Sequence, residues 1–291
     1  YLDDIVVRSR NAAEHLSHLR RVFQLLREHR LYAKLPKCTF NRPEVHYLGH
    51  VVGRDGLKVD PEKVRAVAEW PRPTDAHHVR SFLGLTNYFR KFIKGYAAIA
   101  APLHELTNKG KEFIWGVRQQ KAFTMLKQRL CSAPVLAIPD LNRPFTVISD
   151  ASLLGTGAVL MQDDRPIAYT SRKFNQAEHN YHTTDQELLG VVRAPTEWRC
   201  YLEGSDCTIF TDHNALVHLQ TQPCLNRRQV RWLEFLSRFE PGLKWHYKPG
   251  KTMLADPLSR NPVEPCMCVR VCALHVPIRL CPSLLIGIQQ A

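Results

Sequence analysis

The stretch Phe145-Thr-Val-Ile-Ser-Asp150-Ala-Ser constrains the chain more than any other. Its alternating apolar residues read as a strand with one buried face, and the strand delivers a carboxylate to the edge of a sheet. Gly155-Thr-Gly157-Ala-Val-Leu160 follows as a turn and a second strand, and Arg165-Pro-Ile-Ala-Tyr-Thr-Ser171 as a third. Beyond them the pattern predicts a helix from Thr184, a strand to Asp212, a helix around Asn226 to Phe239, a strand Lys244-Trp-His-Tyr247 and a helix from Asp256. Three antiparallel strands followed by crossover helices predict a mixed-sheet α/β layer arrangement.

Four motifs in this region place an acid at an element boundary: Asp150-Ala-Ser, Gln186-Glu187-Leu-Leu, Thr211-Asp212-His-Asn and Ala255-Asp256-Pro-Leu-Ser-Arg. Each has a local alternative. Asp150 and Asp212 suit turns, Thr184-x-x-Glu187 reads as a capping box, and Asp256 before Pro257 reads as an N-cap. As a set, four converging acids suggest a metal-dependent nuclease. Two Mg²⁺ about 4 Å apart would activate a water and stabilise the leaving 3′-oxygen, and Mg²⁺ takes hard oxygen ligands. Crowded carboxylates repel one another unless cations neutralise them.

The rest of the composition agrees with a nucleic-acid protein. The chain has 291 residues, 44% of them hydrophobic, and a net charge of +13 with Lys and Arg recurring throughout, so a polyanion is the natural partner. Nine cysteines include five in the body (Cys38, Cys131, Cys200, Cys207, Cys224) that are far apart and lack C-x-x-C pairing, which favours a reducing compartment. With no signal peptide and no apolar run near ~20 residues, the expectation is a soluble, cytoplasmic protein with no membrane partner. A first residue Tyr1 in mid-pattern suggests a fragment of a longer polyprotein.

Upstream, Tyr1-Leu-Asp3-Asp4-Ile-Val-Val reads as a hairpin holding paired acids at its tip. Asn11 to Arg30 has helical spacing, with Leu16, Leu19, Val22, Phe23 and Leu26 apolar. Lys37-Cys-Thr-Phe40 and Glu44 to Val52 are strand-like, Gly53-Arg-Asp-Gly56 is a turn, and Asp60-Pro61 caps a short helix to Trp70 that Pro71 and Pro73 terminate. A helical module with Val79, Phe82, Leu83, Phe89 and Phe92 follows, interleaved with Arg80, Arg90, Lys91 and Lys94, and another amphipathic helix is expected from Phe113 to Leu130.

Tyr1-Leu-Asp-Asp4, Tyr47-Leu-Gly-His-Val-Val52 and Val79-Arg-Ser-Phe-Leu-Gly-Leu-Thr-Asn-Tyr-Phe-Arg-Lys-Phe-Ile93 resemble, in order, the catalytic hairpin, primer-grip hairpin and thumb of gypsy-type LTR retrotransposon polymerases. The region of roughly 142–262 resembles the ribonuclease H domain of the same polyproteins. The resemblance implies an α/β (α+β multi-domain) architecture: a partial palm over 1–70, a thumb-like helical region over 71–112, a connection over 113–141, a ribonuclease H-like domain over 142–262 and an unassigned tail over 263–291, expected disordered. It implies that Asp3 and Asp4 are palm acids, with Asp3 a metal ligand, and that Asp150, Glu187, Asp212 and Asp256 are the metal-binding catalytic acids of the nuclease. Two Mg²⁺, with Mn²⁺ as a substitute, are the implied cofactors. RNA:DNA hybrid and primer–template duplex are the implied partners, beside a dimer mate or other Pol segments. Virus-like particles are an implied location.

By the same resemblance Leu48 and Gly49 approach a primer terminus and Gly84 lets a helix approach a duplex, with helix–helix packing as the alternative for Gly84. Ser152, Thr156, His213 and Asn214 are candidate substrate contacts, and Tyr181, Arg227, Arg228 and Arg231 candidate phosphate or stacking contacts. The remaining polymerase parts are expected upstream of Tyr1, so this chain alone should cleave hybrids without polymerising. The competing reading is an inactive nucleic-acid-binding remnant. Pro195, which should kink a helix expected to run to Leu202, the missing palm parts and the unusual tail motivate it; separately, the loop Lys248-Pro-Gly-Lys251 lacks the His that cellular and retroviral relatives place there. In the tail, Cys266, Cys268, Cys272, His275 and Cys281 match no usual zinc spacing.

Overall fold

A computed structural model describes residues 5–9, 11–40, 42–217, 219 and 225–249; Asp3, Asp4, Asp256, Cys224 and the tail lie outside the described residues. The described residues divide into two compact units, one ending at Arg54 and the other beginning at Asp55.

In the first unit, helix α1 (Ala12–Glu28) starts where Asn11 Oδ1 accepts the Glu14 N–H at 2.9 Å, an N-cap that satisfies one of the helix's open donors. The stretch Lys37–Phe40 is not a strand: a 3₁₀ turn occupies Leu35–Lys37, and Pro36, with its fixed φ, sits in its first turn. The strand-like run from Glu44 doubles back on itself. β1 (Glu44–Tyr47) and β2 (His50–Gly53) pair antiparallel with Tyr47 opposite His50. Leu48 and Gly49 form the two-residue turn with φ of 48° and 71°, the left-handed pair whose twist matches that of the strands.

The second unit opens with β3 (Gly56–Val59), where Leu57 exchanges both backbone hydrogen bonds with Leu136 at 2.7 and 2.9 Å. Helix α2 (Pro61–Ala68) is capped by Asp60 and α3 (Ala76–Tyr88) by Asp75, whose Oδ1 accepts from the N–H groups of His77 and His78. A 3₁₀ turn at Arg90–Phe92, α4 (Tyr96–Glu105) and α5 (Val117–Cys131) complete the helical region. Its core includes Val79, Phe82, Phe92, Leu103 and Leu126. The last helix starts later than Phe113, with Gly116 as its N-cap, and Phe113 and Trp115 pack against this core from the irregular segment before it.

A five-stranded sheet follows, built from β4 (Phe145–Ser152), β5 (Gly155–Gln162), β6 (Arg165–Lys173), β7 (Cys207–Thr211) and β8 (Leu243–Tyr247) in the order β6-β5-β4-β7-β8. β6, β5 and β4 are antiparallel; β4 with β7 and β7 with β8 are parallel, so the sheet is mixed as the pattern required. The helices are α6 (Gln176–His179), α7 (Thr183–Glu197), α8 (Arg199–Leu202), α9 (Asn214–Val217) and α10 (Arg227–Leu236). Phe145, Val147, Leu160 and Ile209 of the sheet join Leu188 and Val191 of α7 in one core.

Pro195 lies inside α7, where it has no N–H to donate, and the helix continues only two residues beyond it. Trp198 leaves helical geometry at φ −109° and ψ 26°, and α8 resumes after it, so the expected single helix to Leu202 is two pieces. The helical region and the sheet belong to one unit. The Ala97 N–H donates to Ser171 Oγ at 2.9 Å, Arg90 pairs with Glu197, and Tyr169 of β6 packs against the helical core. Among the described residues no helix is long and apolar enough to cross a membrane.

Candidate active site

Asp150 sits near the end of β4, paired across the sheet with Gly157; Glu187 is on the second turn of α7; Asp212 follows the last residue of β7. The parallel pairing of β4 with β7 puts both strand ends on one side, and α7 lays Glu187 over them. One carboxylate oxygen from each of the three lies within 4.8 Å of the others. Asp150 and Glu187 are buried, each 8% exposed, and Asp212 is half-buried. Asp256, the fourth expected acid, is outside the described residues, as are Asp3 and Asp4.

Burial, then the charges of Asp212 and Asp150, push the Glu187 carboxyl up to about 8 from an ordinary 4.5, while the Ala151 backbone N–H, donating to it, works in the opposite direction. Negative charge is therefore crowded here. An all-oxygen donor set of this kind fits a hard divalent cation.

Thr184 does not cap α7. The helix starts at Thr183, one residue before the expected capping box, and His182 is the N-cap, its Nδ1 accepting from the Thr184 N–H. Thr184 Oγ1 is instead 3.2 Å from Nε2 of His213, next to Asp212, so Glu187 is left to face the acids. Asn214 begins α9 beyond them.

Of the expected substrate hydroxyls, Ser152 donates to the Gly155 carbonyl at 3.2 Å and accepts from the Leu154 N–H, closing the β4–β5 turn. Thr156 is buried and accepts from Arg193 Nη1 at 3.1 Å, so its hydroxyl is turned inward. His246 stays in β8, exposed, with its ring 5.8 Å from that of Phe210. Leu48 and Gly49 form their hairpin tip in the first unit. Gly84 is exposed on α3, and a Cβ there would meet nothing within 4 Å. No helix packs on it among the described residues, so the helix–helix alternative is not what the fold uses.

Tyr181, Arg227, Arg228 and Arg231 come together. The Arg228 guanidinium lies 3.6 Å from the Tyr181 ring centroid, and its Nη1 donates to Asp185 Oδ2 at 3.0 Å. Gln229 Nε2 donates to Asp185 Oδ1 at 2.9 Å, so this buried carboxylate on α7 fastens the start of α10. Asp185 was not singled out by the sequence, because its partners are more than forty residues away. Gly190 was also missed, although an isolated glycine inside an apolar helix is a signal of close approach. A Cβ at Gly190 would stand 2.9 Å from Ser149 Oγ of β4. The Arg193–Glu178 pair, 2.7 Å apart, ties α7 to α6.

A mixed five-stranded sheet with three acids gathered at the ends of β4 and β7 and on α7 defines a ribonuclease H-like domain, and the comparisons agree. The model of the RNase H-like domain found in reverse transcriptase matches residues 140–239, and that of reverse transcriptase (RNA-dependent DNA polymerase) matches residues 1–52. The chain is 39% identical over 281 residues to the retrovirus-related Pol polyprotein from transposon opus, and 38% over 275 residues to that from transposon gypsy, both of Drosophila melanogaster. These alignments cover 91% and 90% of this chain, and 28% and 26% of the relatives, so the chain spans about a quarter of the length of the curated relatives it matches. The chain belongs to the LTR-retrotransposon Pol polyprotein family, with reverse-transcriptase and ribonuclease H-like domains. Its fold is shared with the foamy viral protease-reverse transcriptase in complex with RNA/DNA hybrid, at TM-score 0.72 and 24% identity over 92% of this chain and 37% of that one. The same holds for the complex with ds DNA, at TM-score 0.72 and 24% identity over 83% of this chain and 44% of that one.

Proposed function

We propose that the chain hydrolyses the RNA strand of RNA:DNA hybrids endonucleolytically, leaving 3′-hydroxyl and 5′-phosphate ends. The observation that carries this reading is the convergence of Asp150, Glu187 and Asp212 within 4.8 Å, with the Glu187 carboxyl pushed up to about 8 by burial and then by the charges of Asp212 and Asp150. These three, with Asp256, would hold two Mg²⁺. When bound, the ions supply a nucleophilic water at neutral pH and charge stabilisation at the leaving oxygen.

The chain's own residues prepare that site. Asp150 and Asp212 are fixed by adjacent parallel strands, and the Ala151 N–H orients the Glu187 carboxylate. Glu187 would hold a divalent cation as the carboxylate, because the cation's charge would offset both its burial and the repulsion from Asp212 and Asp150. Leu48, Gly49 and the open Gly84 face of α3 would grip duplex, and Asp3 and Asp4 would serve as palm acids in a longer polypeptide. Ser152, His213 and Asn214, at the rim of the acids, would meet the RNA strand.

The test is cleavage of a labelled hybrid with Mg²⁺. Activity should vanish with EDTA and fall by at least ~10³-fold in Asp150→Asn, since the site acts as a unit. Cleavage indifferent to both changes would overturn the proposal, and salt-sensitive hybrid binding without any cleavage would favour the inactive remnant.

A further inference from the structure

A cavity of ≈ 600 Å³ is lined by Tyr181, Asn226, Arg227, Arg228, Arg231 and Trp232, and by none of the three acids. This is within the size range of small-ligand sites and large enough for one nucleotide. Its cations fall into two kinds. Arg228 is neutralised by the buried Asp185 and sits over the Tyr181 ring, 3.6 Å from its centroid, so it serves as part of a stacking wall. Arg227 and Arg231 are exposed, and neither has an acid within ion-pair distance among the described residues. At i and i+4 on α10 they share one helix face, an arrangement that costs helix stability until an anion relieves it.

Two aromatic side chains inside a concave, arginine-rimmed pocket are poorly used by a duplex, which presents phosphates and keeps its bases stacked inside. They suit a base that is free to leave its strand, because every base offers a π-face to an aromatic ring while its phosphates meet the arginines. Resting on the nucleic-acid reading above, we infer that this pocket is a binding site for an unpaired nucleotide of single-stranded nucleic acid, with Tyr181 and Trp232 stacking the base and Arg227 and Arg231 holding the flanking phosphates. It would seat a single-stranded extension of a substrate whose paired part lies at the acids.

The test measures binding of the full 291-residue chain to fluorescein-labelled single-stranded oligothymidylate and to a blunt RNA:DNA hybrid of equal length, both in EDTA so that no cleavage intervenes. The double variant Arg227→Ala/Arg231→Ala should weaken single-strand binding by at least ~10-fold and hybrid binding by less than ~3-fold. Tyr181→Leu, which removes no charge, should weaken the single strand by at least ~3-fold. The double variant Arg20→Ala/Arg21→Ala, which removes two charges from exposed positions on α1, should change single-strand binding by less than ~2-fold. Unchanged single-strand affinity, equal loss for both probes, or equal loss in the α1 variant would overturn the assignment. A chain that shows the expected binding pattern but never cleaves hybrid with Mg²⁺ would sink the nuclease reading and leave the pocket standing.

Discussion

A Cβ on Gly190 would stand 2.9 Å from Ser149 Oγ and 3.4 Å from Thr156 Cγ2, and Ser149 directly precedes Asp150 on β4. The glycine therefore sets how closely α7, and with it Glu187, approaches the strand that carries the first acid. In an unhindered helix Gly→Ala would add about 1 kcal/mol of stability. Here Gly190→Ala should instead lose stability and weaken divalent-cation binding, and Ser149→Ala in the same chain should restore much of both. Chemical denaturation with and without Mg²⁺ reads the effect; a stabilised single variant would show that the contact does not set the spacing.

Glu187 makes a second prediction. Its carboxyl is raised to about 8 in the folded chain, whereas unfolded it would titrate near 4.5. Between those values the unfolded chain releases a proton that the folded chain keeps. The metal-free protein should then lose stability as pH rises, by at most ~1.4 kcal/mol per pH unit from this group, and the loss should level off above about 8. A divalent cation reverses the cause, so its stabilisation of the fold should be greater near pH 8 than near pH 6, where it must displace the proton. Thermal melts across this range check the sign.

At the scale of elements, α3 leaves Gly84 exposed with open space where a side chain would project. A bare helix face that nothing in the unit covers suits a partner that needs backbone-close contact. Gly84→Ala should raise the melting temperature, since an exposed helical glycine costs about 1 kcal/mol relative to alanine, and at the same time weaken binding to primer–template duplex. A variant that is more stable and binds as before would leave Gly84 without a role in the duplex grip.

The elements also show what the sequence made legible. Period-two alternation identified β4 to β6, and Asn11, Asp60 and Asn226 marked helix starts because caps act through bonds within a few residues. Asp150 and Asp212 were legible for the same reason, each lying at the end of a strand pattern. What escaped was set by distant partners. Asp185 is defined by α10, Thr156 is turned inward by Arg193, and the end of α7 is decided at Trp198 after Pro195. The fold of Glu44 to Gly53 into two strands hinged on Leu48 also ran against local preference, since leucine rarely takes positive φ.

For the whole molecule, the question is how much of the chain the nuclease needs. The helical region from Asp55 onward has its own core, yet it is joined to the sheet by the Ala97–Ser171 bond, the Arg90–Glu197 pair and the packing of Tyr169, and Leu57 of β3 is paired with Leu136. Buried apolar contact and backbone pairing are what couple neighbouring segments into one cooperative transition. A polypeptide beginning at Asp55 should therefore fold, melt in a single transition by calorimetry and circular dichroism alike, and keep the cation-dependent stabilisation of the three acids. One beginning at Phe145 would strip Ser171 of its bond to Ala97 and expose the part of Tyr169 that packs on the helical core. It should melt at a lower temperature and be prone to self-association. Equal melting temperatures for the two would mean that the helical region contributes nothing to holding the sheet, and that the acids depend only on the chain from Phe145 onward.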